Sequence, residues 1–458
     1  MTTTKIDRPV PRRARGKGSG TGTALRLLAR RVHFLAGILV APFLAVLCLT
    51  GLVYVFSPQI HDDLYHGDLH VNRASGTPHP VSDLVRAALV AHPEGTVSSV
   101  ITPAGPDRTV RVVLSVPGPP GTPDRTVFLD PYTGFINGEL ATVADRLPAN
   151  TWLRALHSNL QLGEPGRIYA ELAASWLPPI VIGGLMLWLA RTRRKRRARE
   201  VLLPATAGKS GWVRLRGVHG SVGLWLSVGL LVAAVTGLAM SQFAGGRADQ
   251  RIDPVHLRAP ALAAAPVAVP AGVDPIGIDD VIKMAADAGL RGELSVRPPA
   301  APDRPYTVAE MSEGLPVQRD SIAINPYTAA ITEHIGWRDY PLPAKLSLLA
   351  AEFHTGSLFG LANQIVLALI AAGTLVLIAV GYRMWWIHNP YRGRWASIPR
   401  GVWRQGPWPV LLLVTVVAAA LGWVLPVFGM SLAVFLVVDI VVGGILRLRK
   451  PTSGIRRL

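Results

Sequence analysis

Two histidines stand just ahead of long apolar runs, in "LRALHSNLQLGEPG" from Leu153 and in "AEFHTGSLFGLANQ" from Ala351. Sliding the chain by 197 positions lays His157 on His354, Gly163 on Gly360, Ile168 on Ile365, Gly184 on Gly381 and Trp188 on Trp385, with no gap. At an offset of 186, eight of 21 positions between 32–52 and 218–238 are identical, and His33 falls on His219 and Thr50-Gly51 on Thr236-Gly237. Four of the twelve histidines are therefore paired, His33 with His219 and His157 with His354. Ionisable side chains in or beside a membrane are costly and usually functional. A neutral imidazole is a good ligand for haem iron, and two of them on facing helices bind one haem axially with no covalent link. Each paired set is thus a candidate for one b-type haem, two in all. The competing reading of any single one is an interfacial histidine bonded to backbone or lipid. Preservation of both pairs in a diverged repeat, seven of 32 positions between 157–188 and 354–385, favours ligation.

The elements that must hold these residues follow from composition. The chain has 458 residues, 50% of them hydrophobic, and a mean hydropathy of +0.33. Apolar runs of bilayer-spanning length, about 17–25 residues, appear near 33–57, 168–190, 218–241, 362–386, 408–426 and 429–446. The expectation is an α-helical integral membrane protein of six spans. Polar segments over 58–167 and 242–361 are each large enough for a small α+β domain. "VSDLVRAALVA" and "GIDDVIKMAADA" read as helices, "TVRVVLSV" and "TVFLD" as strands, and "DPYTG" as a turn. The repeated unit is span, polar domain, span, used twice in the same orientation, which predicts a pseudo-twofold axis along the membrane normal. A span hairpin at 408–446 follows.

Net charge is +18, and its placement sets the topology. Of 47 Lys and Arg, 29 lie in 1–32, 191–217, 383–407 and 447–458, beside only two acids, Asp7 and Glu200. Short basic loops mark the cytoplasmic face. Both termini, the loops 191–217 and 387–407 and the tails 1–32 and 447–458 are expected inside the inner (cytoplasmic) membrane, with both polar domains outside. "RTRRKRRARE" from Arg191 abuts a span and reads as a topology anchor meeting anionic lipid, so nucleic acid is not an expected partner. The single cysteine, Cys48, excludes intrachain disulfides, thiolate clusters and C-x-x-C-H haem attachment.

Depth is a question for the 157–354 pair. From His157 to Arg191 a continuous helix runs roughly 50 Å at ~1.5 Å per residue, against a hydrocarbon core of about 30 Å. The histidine stands above the core unless the helix breaks, and "LGEPG" from Leu162 could supply the break, with Gly360 alone in the second copy. Secondary candidates are His388 in "MWWIHNP" and His70 with its counterpart His256. His61, His66 and His70 lie beside Asp62, Asp63 and Asp68, but the spacing fits no standard ligand pattern, and a solvated loop is the preferred reading. Asp439 lies inside the sixth span, as a proton relay or as a bond to a neighbouring helix. No dinucleotide-binding, P-loop, nucleophile-elbow or H-E-x-x-H motif is present, so if electrons reach these haems from inside, another protein or a membrane quinol must bring them.

Taken in order, "H-x-x-x-G … L-T-G-L", "D-P-Y-T-G", "L-H-S-N-L-Q-L-G" and "F-H-T-G-S-L-F-G … G-Y-R-M-W-W" resemble the PepSY-associated transmembrane proteins over roughly 30–390. The resemblance implies a ferric-siderophore reductase with b-type haems on span histidines, carried over here to His33, His157, His219 and His354, and an external ferric chelate as substrate. The chain departs from the pattern at Asn325 and Ala329, where Asp and Gly are preferred, and in "LWLARTRR", which lacks the usual paired aromatics. The alternative is a non-catalytic membrane protein whose domains bind or restrain an envelope protein or peptidase, or a metal or haem importer.

Overall fold

The computed structural model describes residues 20–192, 202–203, 211–247, 258–387 and 407–448. His256 and His388 lie outside them. Among the described residues, four helices are long and apolar enough to cross a membrane: α1 (Gly20–Tyr54), α6 (Glu164–Thr192), α7 (Gly211–Ala239) and α10 (Leu361–Ile387). The last two apolar runs form the shorter helices α11 (Trp408–Val424) and α12 (Pro426–Leu448).

The chain divides into two compact units, one made of Met1–Ala41, Trp176–Ser227 and Leu377–Leu458, the other of Pro42–Ser175 and Val228–Val376. In the first unit, Arg31 on α1 pairs with Asp439 on α12, Nη2 to Oδ1 2.5 Å. Trp176 Nε1 donates to Ser431 Oγ at 2.9 Å, tying α6 to α12. Asp439 is thus engaged with a neighbouring helix, one of the two roles expected for it.

The second unit carries the sheet. After α2 (Ser57–Leu64) and α3 (His66–Leu69) come α4 (Val81–Ala91) and strands β1 (Thr96–Ile101), β2 (Val110–Ser115), β3 (Asp124–Leu129) and β4 (Ile136–Thr142). α5 (Pro148–Asn159) leads back to α6. The second polar segment follows the same order: α8 (Ile278–Asp287), β5 (Leu294–Arg297), β6 (Tyr306–Glu310), β7 (Ser321–Ile324), β8 (Ile331–Ile335), then α9 (Leu342–Thr355) before α10. The segments were expected as separate domains, yet their strands form one antiparallel sheet in the order β4-β3-β2-β1-β5-β6-β7-β8. Each four-stranded meander leaves an inner edge of unpaired backbone, and β1 and β5 close these edges on each other through Val100↔Val296 and Ile101↔Ser295. Leu294 and Thr102 extend the seam, the Thr102 hydroxyl accepting from the Leu294 amide at 2.9 Å.

One face of this sheet is the core. Leu84 and Ala88 of α4 and Val281 and Ala285 of α8 pack on Val100, Val112, Val127, Val296, Val308 and Ile322. Asp279, on the first turn of α8, caps α4 by accepting from the Val81 amide at 2.7 Å. The two "PYT" turns are built alike: Asp130 Oδ1 accepts from the Tyr132 amide at 2.8 Å, and Asn325 Oδ1 accepts from the Tyr327 amide at 2.9 Å. Asparagine therefore does the work of aspartate there. Ala329 is held at φ +56° at the end of its turn, a conformation costly for any residue with a Cβ.

Candidate functional site

Each expected histidine pair is brought together inside one unit. In the first unit the rings of His33 and His219 have centres 6.0 Å apart and planes 75° apart. In the second, His157 and His354 have centres 6.4 Å apart and planes 37° apart. A metal–imidazole bond is about 2.0 Å. With the ring centre roughly 1.1 Å behind the nitrogen, two imidazoles in line on one ion stand about 6 Å apart.

The local sequence explains how each ring is seated. On α6, Gly184 lacks the Cβ that would cover the carbonyl of Ile180 one turn earlier, and His33 Nδ1 reaches that carbonyl at 2.8 Å. A Cβ on Gly184 would stand 2.9 Å from His33 Cε1. On α10, 197 positions later, His219 lies over Gly381 more loosely, its Cε1 3.6 Å from where a Cβ would be. Its Nδ1 is buried and makes no hydrogen bond of normal geometry, although the Leu377 carbonyl beside it is equivalent to that of Ile180.

The second pair is seated on the "T-G" of the "L-T-G-L" motifs. His157 packs on Gly51 and His354 on Gly237, each with Cε1 2.9 Å from an added Cβ. Thr50 Oγ1 lies 3.0 Å from His157 Nδ1, and Thr236 Oγ1 lies 2.9 Å from His354 Nδ1. Both hydroxyls already donate to carbonyls one turn back, Thr50 to Val46 at 3.0 Å and Thr236 to Val232 at 2.8 Å. A hydroxyl has one proton, so each threonine oxygen accepts from Nδ1–H. The Ile180 carbonyl can only accept as well. In His33, His157 and His354 the proton is thus on Nδ1, and the Nε2 lone pair, which has no hydrogen bond among the described residues, is left for a ligand. A hydrogen bond on the far nitrogen is how metal-binding histidines are oriented. Burial, and for His157 the nearby His354, pushes both imidazoles below their ordinary pKa, His157 to about 4. They stand neutral at pH 7, as ligation requires.

The helix break needed by the sequence arithmetic is present in both copies. α5 ends at Asn159, followed by Leu160 at φ +54°, Gln161 at +59° and Gly163 at +64°. α9 ends at Thr355, followed by Gly356 at +90° and Gly360 at +56°. His157 therefore sits on its own short helix, level with Gly51 near the end of α1, and is not carried upward by an extended α6. Tyr54, one turn beyond Thr50, stacks parallel to His157 with ring centres 6.1 Å apart.

Residues 30–388 match the profile of the PepSY-associated TM region. The chain belongs to this family. Membership makes this a membrane protein of the PepSY-associated type, consistent with its four apolar helices. No protein of curated function matches the sequence significantly. The PepSY-associated region contains all four paired histidines, and also the glycines and threonines that seat them. Those seats went unassigned from sequence, although "L-T-G-L" and Gly184/Gly381 repeat at the same offsets as the histidines. His70 is not brought to either pair. It joins Asp62 and His66, which lie on α2 and α3 and not in a solvated loop, while His70 follows α3 in extended conformation.

Proposed function

We propose that this chain is a haem-carrying electron-transfer protein of the inner membrane that reduces a ferric chelate on the side of its sheet domain. The observation that carries the reading is the two imidazole pairs, with ring centres 6.0 and 6.4 Å apart, a spacing that suits one metal ion each, and with Nδ1 committed elsewhere in three of four rings. The surroundings suit a flat macrocycle. One turn from His33, on the same helical face, a Cβ on Gly37 would meet nothing within 4 Å, and one on Gly223, a turn from His219, would meet only Leu377 Cδ2 at 3.8 Å. A b-type haem held by two imidazoles supplies single-electron transfer. His33 with His219 and His157 with His354 would hold one each. Thr50, Thr236 and the Ile180 carbonyl keep the rings in the ligating tautomer, and Gly184, Gly51 and Gly237 fix where His33, His157 and His354 stand.

Reduction suits iron uptake, because ferric chelates release their metal as Fe(II). Electrons would come from a cytoplasmic protein or a membrane quinol, in the absence of any nucleotide-binding motif. The basic loops favour a topology with both termini inside and the sheet domain outside, in which α11 and α12 would complete six spans. The matched offsets, Thr50-Gly51 to Thr236-Gly237 and Gly184 to Gly381, support a tandem repeat.

The test is a visible spectrum of the detergent-purified protein, oxidised and dithionite-reduced. Sharp low-spin b-type bands with two haems per chain are expected. No Soret band in protein made with ample haem would overturn the reading and leave a membrane protein whose sheet domain binds a partner.

A further inference from the structure

Outside the histidine pairs, one cluster joins imidazole and carboxylate groups on a rigid platform. α2 and α3 follow each other with only Tyr65 between them, so Asp62, His66 and His70 recur every fourth residue. Tyr65, at φ −112° and ψ 27°, interrupts the helix, and His70 follows α3 in extended conformation, so the three meet at the junction of two short helices and the strand-like segment after them. One ligand atom from each of the three lies within 4.8 Å of the others. The rings of His66 and His70 stack with centres 4.3 Å apart. The hook is anchored to the sheet: the His70 carbonyl accepts from Asn137 Nδ2 at 3.0 Å, its backbone bridges Arg108, and Thr109 Oγ1 donates to the Asp68 carbonyl at 2.9 Å.

We propose that Asp62, His66 and His70 form a binding site for one divalent transition-metal ion, with Asp107 supporting His70 from behind. Two imidazoles and one carboxylate, with further positions open, are a donor set for Fe(II) or Zn(II). His70 Nε2 stands 3.0 Å from Asp62 Oδ1, while Nδ1 faces Asp107 Oδ2 at 3.5 Å. A carboxylate behind a histidine is the usual outer partner of a ligating imidazole. Nitrogen and oxygen at 3.0 Å need a proton between them. With an ion on Nε2, the single ring proton of the neutral imidazole sits on Nδ1, where it faces Asp107. Arg108 Nη1 is 2.8 Å from the same Asp62 oxygen and is therefore the cation the metal must displace. His66 is exposed and gives the ion a way in from water. The identity of the ion as Fe(II) rests on the function proposed above, whose product would be released on this side. The metal site itself does not depend on it.

Equilibrium dialysis of the full-length protein against Co(II), with cobalt counted by mass spectrometry, tests the site. We expect one saturable equivalent to be lost, or weakened at least tenfold, in His66→Ala, and binding to tighten several-fold in Arg108→Gln. His66→Ala carries the test because its side chain is exposed, and an unchanged melting temperature shows that the variant is folded. Equal cobalt binding by His66→Ala and the parent would overturn the proposal, as would no saturable binding below millimolar Co(II). The haem spectrum is read separately on the same samples. Loss of cobalt with unchanged haem bands supports the site, and a chain with no haem still reports on cobalt.

Discussion

His33 and Gly184 are packed so closely that a methyl group on the glycine would stand 2.9 Å from the imidazole Cε1, whereas the equivalent distance between Gly381 and His219 is 3.6 Å. The first is closer than Cβ atoms tolerate and the second is an ordinary contact. Gly184→Ala should therefore push His33 off the Ile180 carbonyl at an overpacking cost of about 1–3 kcal/mol, while Gly381→Ala should be nearly silent. Under the proposed function the first variant loses about one haem per chain or shows shifted low-spin resonances, and the second keeps both haems. Equal effects of the two substitutions would refute the asymmetry.

Thr50 and Thr236 each accept the Nδ1 proton of a histidine. Replacing Thr50 by Val keeps the shape and removes the acceptor, which under the proposed function should weaken haem retention at the 157–354 pair about 10- to 100-fold. Thr50→Ser should restore most of it, because the serine hydroxyl can make the same two bonds. Haem off-rates to an apo-myoglobin acceptor measure this, and a serine variant as weak as valine would exclude the hydrogen bond as the cause.

Much of this architecture was legible because the chain says it twice. The offsets of 186 and 197 paired the histidines, and hydropathy found the helices. The strands of "TVRVVLSV" came from simple alternation. What stayed hidden depended on three-dimensional closeness. Gly51 and Gly184 read as generic span glycines, since nothing in one strand of sequence says that an imidazole from another helix fills the missing side chain. The joining of β1 to β5 was hidden because both meander edges look alike whether exposed or paired. Asp62, His66 and His70 fit no standard ligand spacing, because what joins them is the break at Tyr65 and the extended His70, which the sequence does not reveal.

Ala329 occupies the turn position that Gly134 fills in the first half of the sheet, with φ +56° against +71°. A left-handed residue with a Cβ costs roughly 1–2 kcal/mol, so Ala329→Gly should stabilise the sheet unit by about 1 kcal/mol and Gly134→Ala should destabilise it by a similar amount. Denaturant melts followed by far-ultraviolet circular dichroism would show opposite shifts, and same-sign shifts would contradict the shared turn geometry.

Asp439 and Arg31 form an ion pair with both side chains largely out of water, 26% and 13% exposed. Breaking such a pair from one side leaves an uncompensated charge. Asp439→Asn should therefore lower the melting temperature by several degrees, while Arg31→Gln combined with Asp439→Asn costs less than the two single effects added. If the double variant is simply additive, the carboxylate has a role other than holding Arg31.

Acid should loosen the apoprotein through the 157–354 pair. Burial, with the nearby His354 second, lowers the His157 pKa from 6.5 to about 4, and His354 shifts the same way. Between those values the unfolded chain binds a proton that the folded chain excludes, so stability rises with pH across this window and falls as pH drops from about 6.5 towards 4. One fully buried histidine shifted this far accounts for at most ~3 kcal/mol. Melting of the apoprotein at pH 7 and pH 5 should show a marked loss at the lower value, and His157→Gln, which cannot titrate, should reduce that loss to the part left by His354. A parent protein equally stable at both values would rule out a neutral, buried imidazole at this position.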